Sequence, residues 1–252
     1  MDKNHCGCSY DSVVCLCGVE KSIKGRQVLR GVDLEVDEGE IHILAGLNGA
    51  GKTTTVRIIV GLVVRDGGFA RVLGEDPGGG GFARVRGMIG YLPEDASVYD
   101  RLTGLENIEF YARLYGGPVE EMVERAMMYS GLSIEDLSRR AGGYSKGMKR
   151  RLLLGITLMT EPSLVVLDEP TSGIDPIASH RVKRLLRRLA AKGRSLLVTT
   201  HDMRLAEEIG DRVTIIHRGS TLESGSPGEL MDRYGAESLE EVFVRVVEGV
   251  EA

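Results

Sequence analysis

The stretch Gly46-Leu47-Asn48-Gly49-Ala50-Gly51-Lys52-Thr53 sets three glycines ahead of an ammonium and a hydroxyl. Those residue types, in that order, suit a phosphate chain. Glycines let the backbone wrap closely, so that consecutive N–H groups converge on phosphate oxygens at the positive end of a following helix. An apolar run, Ile41 to Ala45, precedes the loop and a helical pattern follows it, which is the context the motif requires and a chance glycine-rich turn lacks. Gly46 to Thr54 are therefore read as nucleotide-binding, with Lys52 reaching the β- and γ-phosphates and the Thr53 hydroxyl ligating Mg²⁺.

A second run, Leu164-Val165-Val166-Leu167-Asp168-Glu169, is apolar until it ends in two adjacent acids. Packing does not ask for carboxylates at the end of a buried strand. In P-loop ATPases the first such acid holds Mg²⁺, and Glu169 is placed to orient or polarise the attacking water. His201 follows the apolar run Leu196 to Thr199 and is expected at the same sheet edge. Glu169, His201 and Lys52 are the catalytic candidates, and the chemistry is nucleotide hydrolysis.

These side chains need a scaffold. Residues 13 to 43 read as short antiparallel strands with turns at Lys24-Gly25 and Asp37-Glu38-Gly39. Gly67 to Gly81 reads as turn-rich, with Gly78 to Gly81 a flexible connector. A helical pattern from Leu105 to Leu137 breaks at Gly116-Gly117-Pro118 and near Gly131. Strand and helix then alternate: strand 164–167, helix 177–192, strand 195–199, helix 203–209, strand 212–217. Such alternation implies a mostly parallel sheet that binds ligands beyond the carboxyl ends of its strands. The expected fold is α/β: a P-loop NTPase core with a mostly parallel sheet, N-terminal antiparallel β strands and an inserted α-helical subdomain. Its divisions are a tail over 1–12 and a single domain over 13–248. Within that domain the core covers 13–94 and 160–236, the helical subdomain about 95–159, and a C-terminal helix about 237–248.

Tyr144-Ser145-Lys146-Gly147-Met148 resembles the signature motif of ABC ATPases, in the variant form common among ABC-2-type exporter subunits. Asp168 to Pro176 looks like the joined Walker B and D-loop, with Ser172, Gly173 and Asp175 in the D-loop. Thr200-His201-Asp202-Met203 looks like the switch-histidine segment, and Ile89 to Glu94 sits where the Q-loop belongs. These motifs stand in the family's order, and the resemblance covers nearly the whole chain. It implies ATP and Mg²⁺ as cofactors and an ATP-dependent homodimer, or a heterodimer with a related subunit. Ser145, Lys146, Gly147 and Met148 would contact ATP held by the other copy. It also implies a separate transmembrane permease subunit and a place at the inner face of the cell membrane. Export is favoured by the signature variant and by Ser238 to Phe243, which resembles the closing helix of exporter-type subunits.

The residues give the signature helix a reason of their own. Ser145 is a good N-cap, yet Lys146, Lys149, Arg150 and Arg151 crowd the first turns, where cations oppose the macrodipole by ~0.3–1 kcal/mol each. A docked anion would offset that cost; alternatively, these side chains point into solvent or meet acids elsewhere. The chain also departs from the family pattern. Glu94, a metal-shell candidate, replaces the Q-loop glutamine. Lys146 and Met148 replace glycine and glutamine, and Ile23 stands where an aromatic stacks on adenine.

Bulk composition is that of a soluble protein, 42% hydrophobic and 27% charged, with a net charge of -5 that gives no reason to expect nucleic acid. No apolar run approaches the roughly 18 residues of a membrane span, and Met1 to Ser12 lacks the apolar core of a signal peptide. A cytoplasmic protein that meets the membrane through a partner is expected. Cys6, Cys8, Cys15 and Cys17 are the four cysteines; they match no usual zinc spacing, and Cys15 and Cys17 are read as small buried apolar groups on one face of a strand rather than as metal ligands or disulfides. Two other functions stay open: a soluble ABC ATPase acting on nucleic acid or ribosomes, and a nucleotide-dependent regulatory module.

Overall fold

Apolar residues recur on one face of Val14–Ile23 (β1) and Arg26–Val36 (β2), which pair antiparallel as a hairpin. The turn is Lys24-Gly25, and both residues take positive φ, 51° and 77°, the handedness that matches the twist of the flanking strands. Val14, Leu16 and Val19 with Leu29, Val32, Leu34 and Val36 are buried in one cluster with Val56, Ile58 and Ile59 of the helix Lys52–Ile59 (α1). This computed structural model describes residues 8–9 and 12–251.

Gly67–Val72 (β4) corrects the turn-rich expectation for Gly67 to Gly81, because it is a third strand, antiparallel to β1. Glycines normally weaken strands, but here one permits the pairing. Gly68 has φ 77°, and a Cβ on it would collide with the Gly18 carbonyl across the pair. The flexible connector is partly ordered as well, since Gly80–Arg84 forms a short 3₁₀ turn that buries Phe82.

The larger sheet joins Ile41–Ala45 (β3), Ile89–Leu92 (β5), Leu164–Asp168 (β6), Ser195–Thr200 (β7), Arg212–His217 (β8) and Ser220–Gly225 (β9). Its order is β5-β6-β7-β3-β8-β9. The first five strands run parallel and β9 runs antiparallel to β8. The sequence reading has no element over 220–234, where β9 and the helix Pro227–Tyr234 (α8) form; β9 is half-buried up to Ser224 and lacks a clean apolar period. The sheet is P-loop NTPase in kind: mostly parallel, with β3, β6 and β7 all ending at one edge.

Between β5 and β6 run the helices Gly104–Tyr115 (α2), Val119–Ser130 (α3), Ile134–Leu137 (α4) and Lys146–Leu158 (α5). Thr103 and Glu106 form a capping box at the start of α2. Gly116 and Gly131, with φ of 72° and 56°, end α2 and α3 where the spacing predicts breaks. Ile108, Ala112, Met122, Ala126, Leu152 and Leu154 bury these helices in the same core as β6 and β7. Deleting the Leu154 side chain should cost ~2–5 kcal/mol. Pro176–Ala190 (α6), Met203–Ile209 (α7) and Leu239–Glu251 (α9) complete the fold.

The cysteine expectation is also corrected. Cys15 is buried, but it is joined to Cys8 as a disulfide, and Cys17 Sγ lies 3.9 Å from Cys15 Sγ and 3.7 Å from Cys8 Sγ. Residues two apart on a strand share a face, so Cys15 and Cys17 point together toward the Cys8 segment, opposite to Val14 and Leu16. Cys6 lies outside the described residues.

Candidate active site

β3 delivers the phosphate loop to the sheet edge. The Gly46 N–H donates to the Thr200 carbonyl (3.1 Å), pinning the loop's start to β7, and the Gly219 N–H donates to the Ala50 carbonyl (2.8 Å), holding its other side. Gly46 and Gly51 show why the loop needs glycine. A Cβ on Gly46 would overlap the Ile216 carbonyl, and Gly51, the N-cap of α1, has φ 115°. The Lys52 side chain folds back into the loop, where Nζ donates to the carbonyls of Gly46 (2.7 Å) and Leu47 (3.4 Å). It is 6% exposed, and a buried ammonium needs such partners.

β6 and β7 supply the acids. Asp168 is fully buried; the Thr199 hydroxyl donates to its Oδ1, while Oδ2 has no hydrogen-bond partner among the described residues. The chain then turns sharply. Glu169 takes φ 48°, a left-handed backbone costing a non-glycine residue ~1–2 kcal/mol, and its N–H donates to the Thr199 carbonyl (3.2 Å). Its Oε1 lies 3.3 Å from Lys52 Nζ and accepts from His201 Nδ1 at 2.9 Å. Strand β7 thus places His201 beside the acid at the end of β6, and Asp202 fixes the following turn by accepting from the N–H groups of Arg204 and Leu205.

A cavity of about 350 Å³ opens over Lys52 and Glu169. Leu47, Asn48, Gly49, Gly51, Lys52, Thr53 and Thr54 line it together with Val28, Glu94 and Glu169. Gly46 and Ala50 lie buried behind the loop. Ile23 is not in the lining; it is 42% exposed at the end of β1, and Val28 on the paired strand reaches the cavity instead.

The signature residues stand apart from this cavity. Ser145 caps α5, its Oγ accepting from the Met148 N–H at 3.2 Å. Ser145 and Lys146 are exposed and Met148 is half-buried. Gly147 is buried where a Cβ would come within 2.7 Å of the Ala178 Cβ and 3.2 Å of Asp175 Oδ2. Signature and D-loop are therefore packed together. Asp175 caps α6 through the Ala178 N–H (2.9 Å), the Ser172 N–H donates to the Glu169 carbonyl (3.2 Å), and Gly173 has φ 68°.

The basic run resolves largely within the chain. Lys149 pairs with Asp100 at 2.6 Å, and Arg151 donates to the carbonyls of Ser130 (2.9 Å) and Gly131. Arg150 is the residue the sequence reading missed. Its buried guanidinium donates to the carbonyls of Asp168 (2.6 Å), Glu169 (2.8 Å), Pro170 (3.1 Å) and Pro93 (3.2 Å). Burial pulls its pKa down from the usual value, opposed by the charges of Asp168, Glu94 and Glu169. One side chain of α5 so holds the exits of both β5 and β6. In the sequence Arg150 is one cation among four, and nothing there marks it as buried.

The ABC transporter family model matches residues 29–172. The chain is 36% identical over 231 residues to Nod factor export ATP-binding protein I of Rhizobium sp. (strain N33), covering 90% of this chain and 75% of the relative. It is 39% identical over 202 residues to the fluoroquinolones export ATP-binding protein MT2762 of Mycobacterium tuberculosis (strain CDC 1551 / Oshkosh), covering 80% and 66%. These alignments span two thirds to three quarters of the relatives' own lengths. Among solved structures, an ATP-binding subunit of an ABC transporter superposes with TM-score 0.82 at 30% identity, covering 93% of this chain and 99% of that one. A dimeric ATP-binding cassette in a post-hydrolysis state with ADP and phosphate shares the fold, with TM-score 0.76 at 23% identity over 84% and 98%.

Proposed function

The chain belongs to the ABC transporter family as an ATP-binding, ATP-hydrolysing subunit, and from that premise we propose how its residues divide the work. The phosphate loop holds the triphosphate, with Lys52 on the β- and γ-phosphates. Glu169 positions the attacking water, and His201, bonded to Glu169 Oε1, orients that carboxylate and meets the γ-phosphate. The observation that carries this reading is the meeting of Lys52 and Glu169, from separate elements, in the wall of one cavity, with His201 from a third element bonded to the same Glu169 oxygen.

Thr53, Asp168 and Glu94 would hold Mg²⁺. The donor set is all oxygen, as that ion requires, and Asp168 Oδ2 is a buried acceptor with no hydrogen-bond partner among the described residues. Mg²⁺ would neutralise charge on the β- and γ-phosphate oxygens.

Two copies work together, each ATP lying between the phosphate loop of one and the Ser145 helix of the other. Support comes from the position of Ser145, exposed on a helix N-terminus and outside the cavity of its own chain. The related cassette described as dimeric agrees with it. No helix among the described residues is long and apolar enough to cross a membrane. By likeness to the export ATP-binding relatives, a transmembrane subunit provides the path, met at the cytoplasmic face where ATP is available, with the Glu94 segment and the helices between β5 and β6 as coupling surface. The named relatives are export proteins, which favours export.

Phosphate release and sedimentation of wild type and Glu169→Gln test the reading. The variant should bind ATP, turn over ~10²–10³-fold more slowly and sediment as a dimer with ATP. Wild-type turnover in the variant, or a monomer at saturating ATP beside the membrane subunit, would reject it.

A further inference from the structure

Away from the nucleotide cavity, three sulfur atoms converge on the antiparallel sheet. Cys15 and Cys17 project from one face of β1, Cys8 comes from the segment before it, and the three Sγ atoms lie within 4.8 Å of one another. In the structure these cysteines stand oxidised, Cys8 with Cys15. Cys17 is disulfide-bonded as well, but disulfides pair sulfurs two by two and do not require three to converge on one point. Cys17 Sγ sits 3.7 Å from Cys8 Sγ and 3.9 Å from Cys15 Sγ. Sulfurs bound at about 2.3 Å to a tetrahedral zinc stand ~3.8 Å apart, so both separations fit the edges of a thiolate tetrahedron.

The surroundings hold this arrangement independently of the sulfurs. The Ser9 N–H donates to Glu35 Oε1 (2.5 Å) and Arg71 donates to the Ser9 carbonyl (2.7 Å), which docks the residue next to Cys8 onto the sheet. Glu35 and Arg71 are the register partners of Cys15 on β2 and β4. A bulge follows immediately, with register shifts after Leu16 against β2 and after Cys17 against β4; bulges re-aim side chains in this way next to functional sites. The Arg71 cation also favours thiolate over thiol. The sequence carries a fourth thiol, Cys6, two residues ahead of Cys8 and outside the described residues.

We propose that Cys8, Cys15 and Cys17 form a thiolate site for a soft divalent cation of the zinc class, which clips the segment before β1 onto the sheet. The availability of thiols rests on the ATP-hydrolysing reading, which places the chain in a reducing compartment. Binding deprotonates each thiol and releases the protons to solvent.

The test uses the full chain, purified with a phosphine reductant and without chelator. Zinc content should be about one per chain. Cobalt(II) should give the intense d–d and sulfur-to-metal charge-transfer bands of tetrahedral thiolate ligation. Cys17→Ser should weaken zinc binding by at least ~10-fold, with ATP turnover retained as the check on folding. Reduced, ATP-hydrolysing wild type that takes up neither zinc nor cobalt would overturn the proposal. So would Cys17→Ser binding zinc as tightly as wild type, or a Cys8–Cys15 disulfide that survives the reductant. Zinc uptake by a chain that hydrolyses no ATP leaves this site standing and removes the hydrolysis reading instead.

Discussion

Glu169 Oε1 lies 3.3 Å from Lys52 Nζ, so the proposed water-positioning carboxylate and the phosphate-binding ammonium form an ion pair with each other. Both are almost fully buried, at 5% and 6% exposure. A γ-phosphate reaching Lys52 must therefore compete with Glu169 and tolerate its charge. If Glu169 positions the attacking water as proposed, it does so at some cost to phosphate binding.

Glu169→Gln removes that charge in the same shape. ATP affinity, measured by equilibrium titration before appreciable turnover, should rise about tenfold, ~1.4 kcal/mol. Lys52→Ala leaves Glu169 buried without its cation and should weaken ATP binding by ~10² or more. Equal ATP dissociation constants for wild type and Glu169→Gln would show that the ion pair has no bearing on binding.

Asp168→Asn keeps an oxygen to accept from the Thr199 hydroxyl and removes the charge at the metal-facing position. The Mg²⁺ concentration for half-maximal turnover should rise ~10–100-fold, with the melting temperature nearly unchanged. A Mg²⁺ titration that superposes on wild type takes Asp168 out of the metal shell.

Arg150→Met strips donors from the carbonyls of Pro93, Asp168, Glu169 and Pro170 at one stroke. Buried acceptors left unmet cost ~1–3 kcal/mol each, so calorimetry should find a loss of several kcal/mol. Arg150→Lys should recover little of it, because a single ammonium lacks the guanidinium's planar fork. A melting temperature within a degree of wild type for either variant contradicts this role.

Ile23→Tyr tests the adenine platform. The hairpin end is 42% exposed, so the ring fits without repacking. If Ile23 faces adenine, stacking should add ~0.5–1.5 kcal/mol, roughly three- to tenfold in ATP affinity. An unchanged ATP dissociation constant would leave Val28, already in the cavity wall, as the apolar contact to the base.

Much of the site was legible because its residues are local in sequence. The phosphate loop and the Asp168-Glu169 pair are short runs whose chemistry and flanking strands appear together. The Ser145 cap could be read from one serine ahead of a helical pattern, and the structure shows its hydroxyl accepting from Met148. Gly116 and Gly131 announced the breaks in the helical segment. What could not be read was long-range. Gly67 to Val72 carries turn residues, and only the approach of Gly18 explains why glycines belong in that strand.

By itself, then, the sequence determined the reaction class and the order of its parts, since both follow from residue types at fixed spacing. Tertiary structure alone decided which groups touch. Arg150 became the clamp behind two strand ends, Lys52 became the partner of Glu169, and Cys15 and Cys17 joined Cys8 in one cluster rather than serving as two core fillers. The physical reason is the same in each case. Burial obliges every charge and thiol to find a partner, and that partner comes from whichever distant segment the sheet order brings alongside.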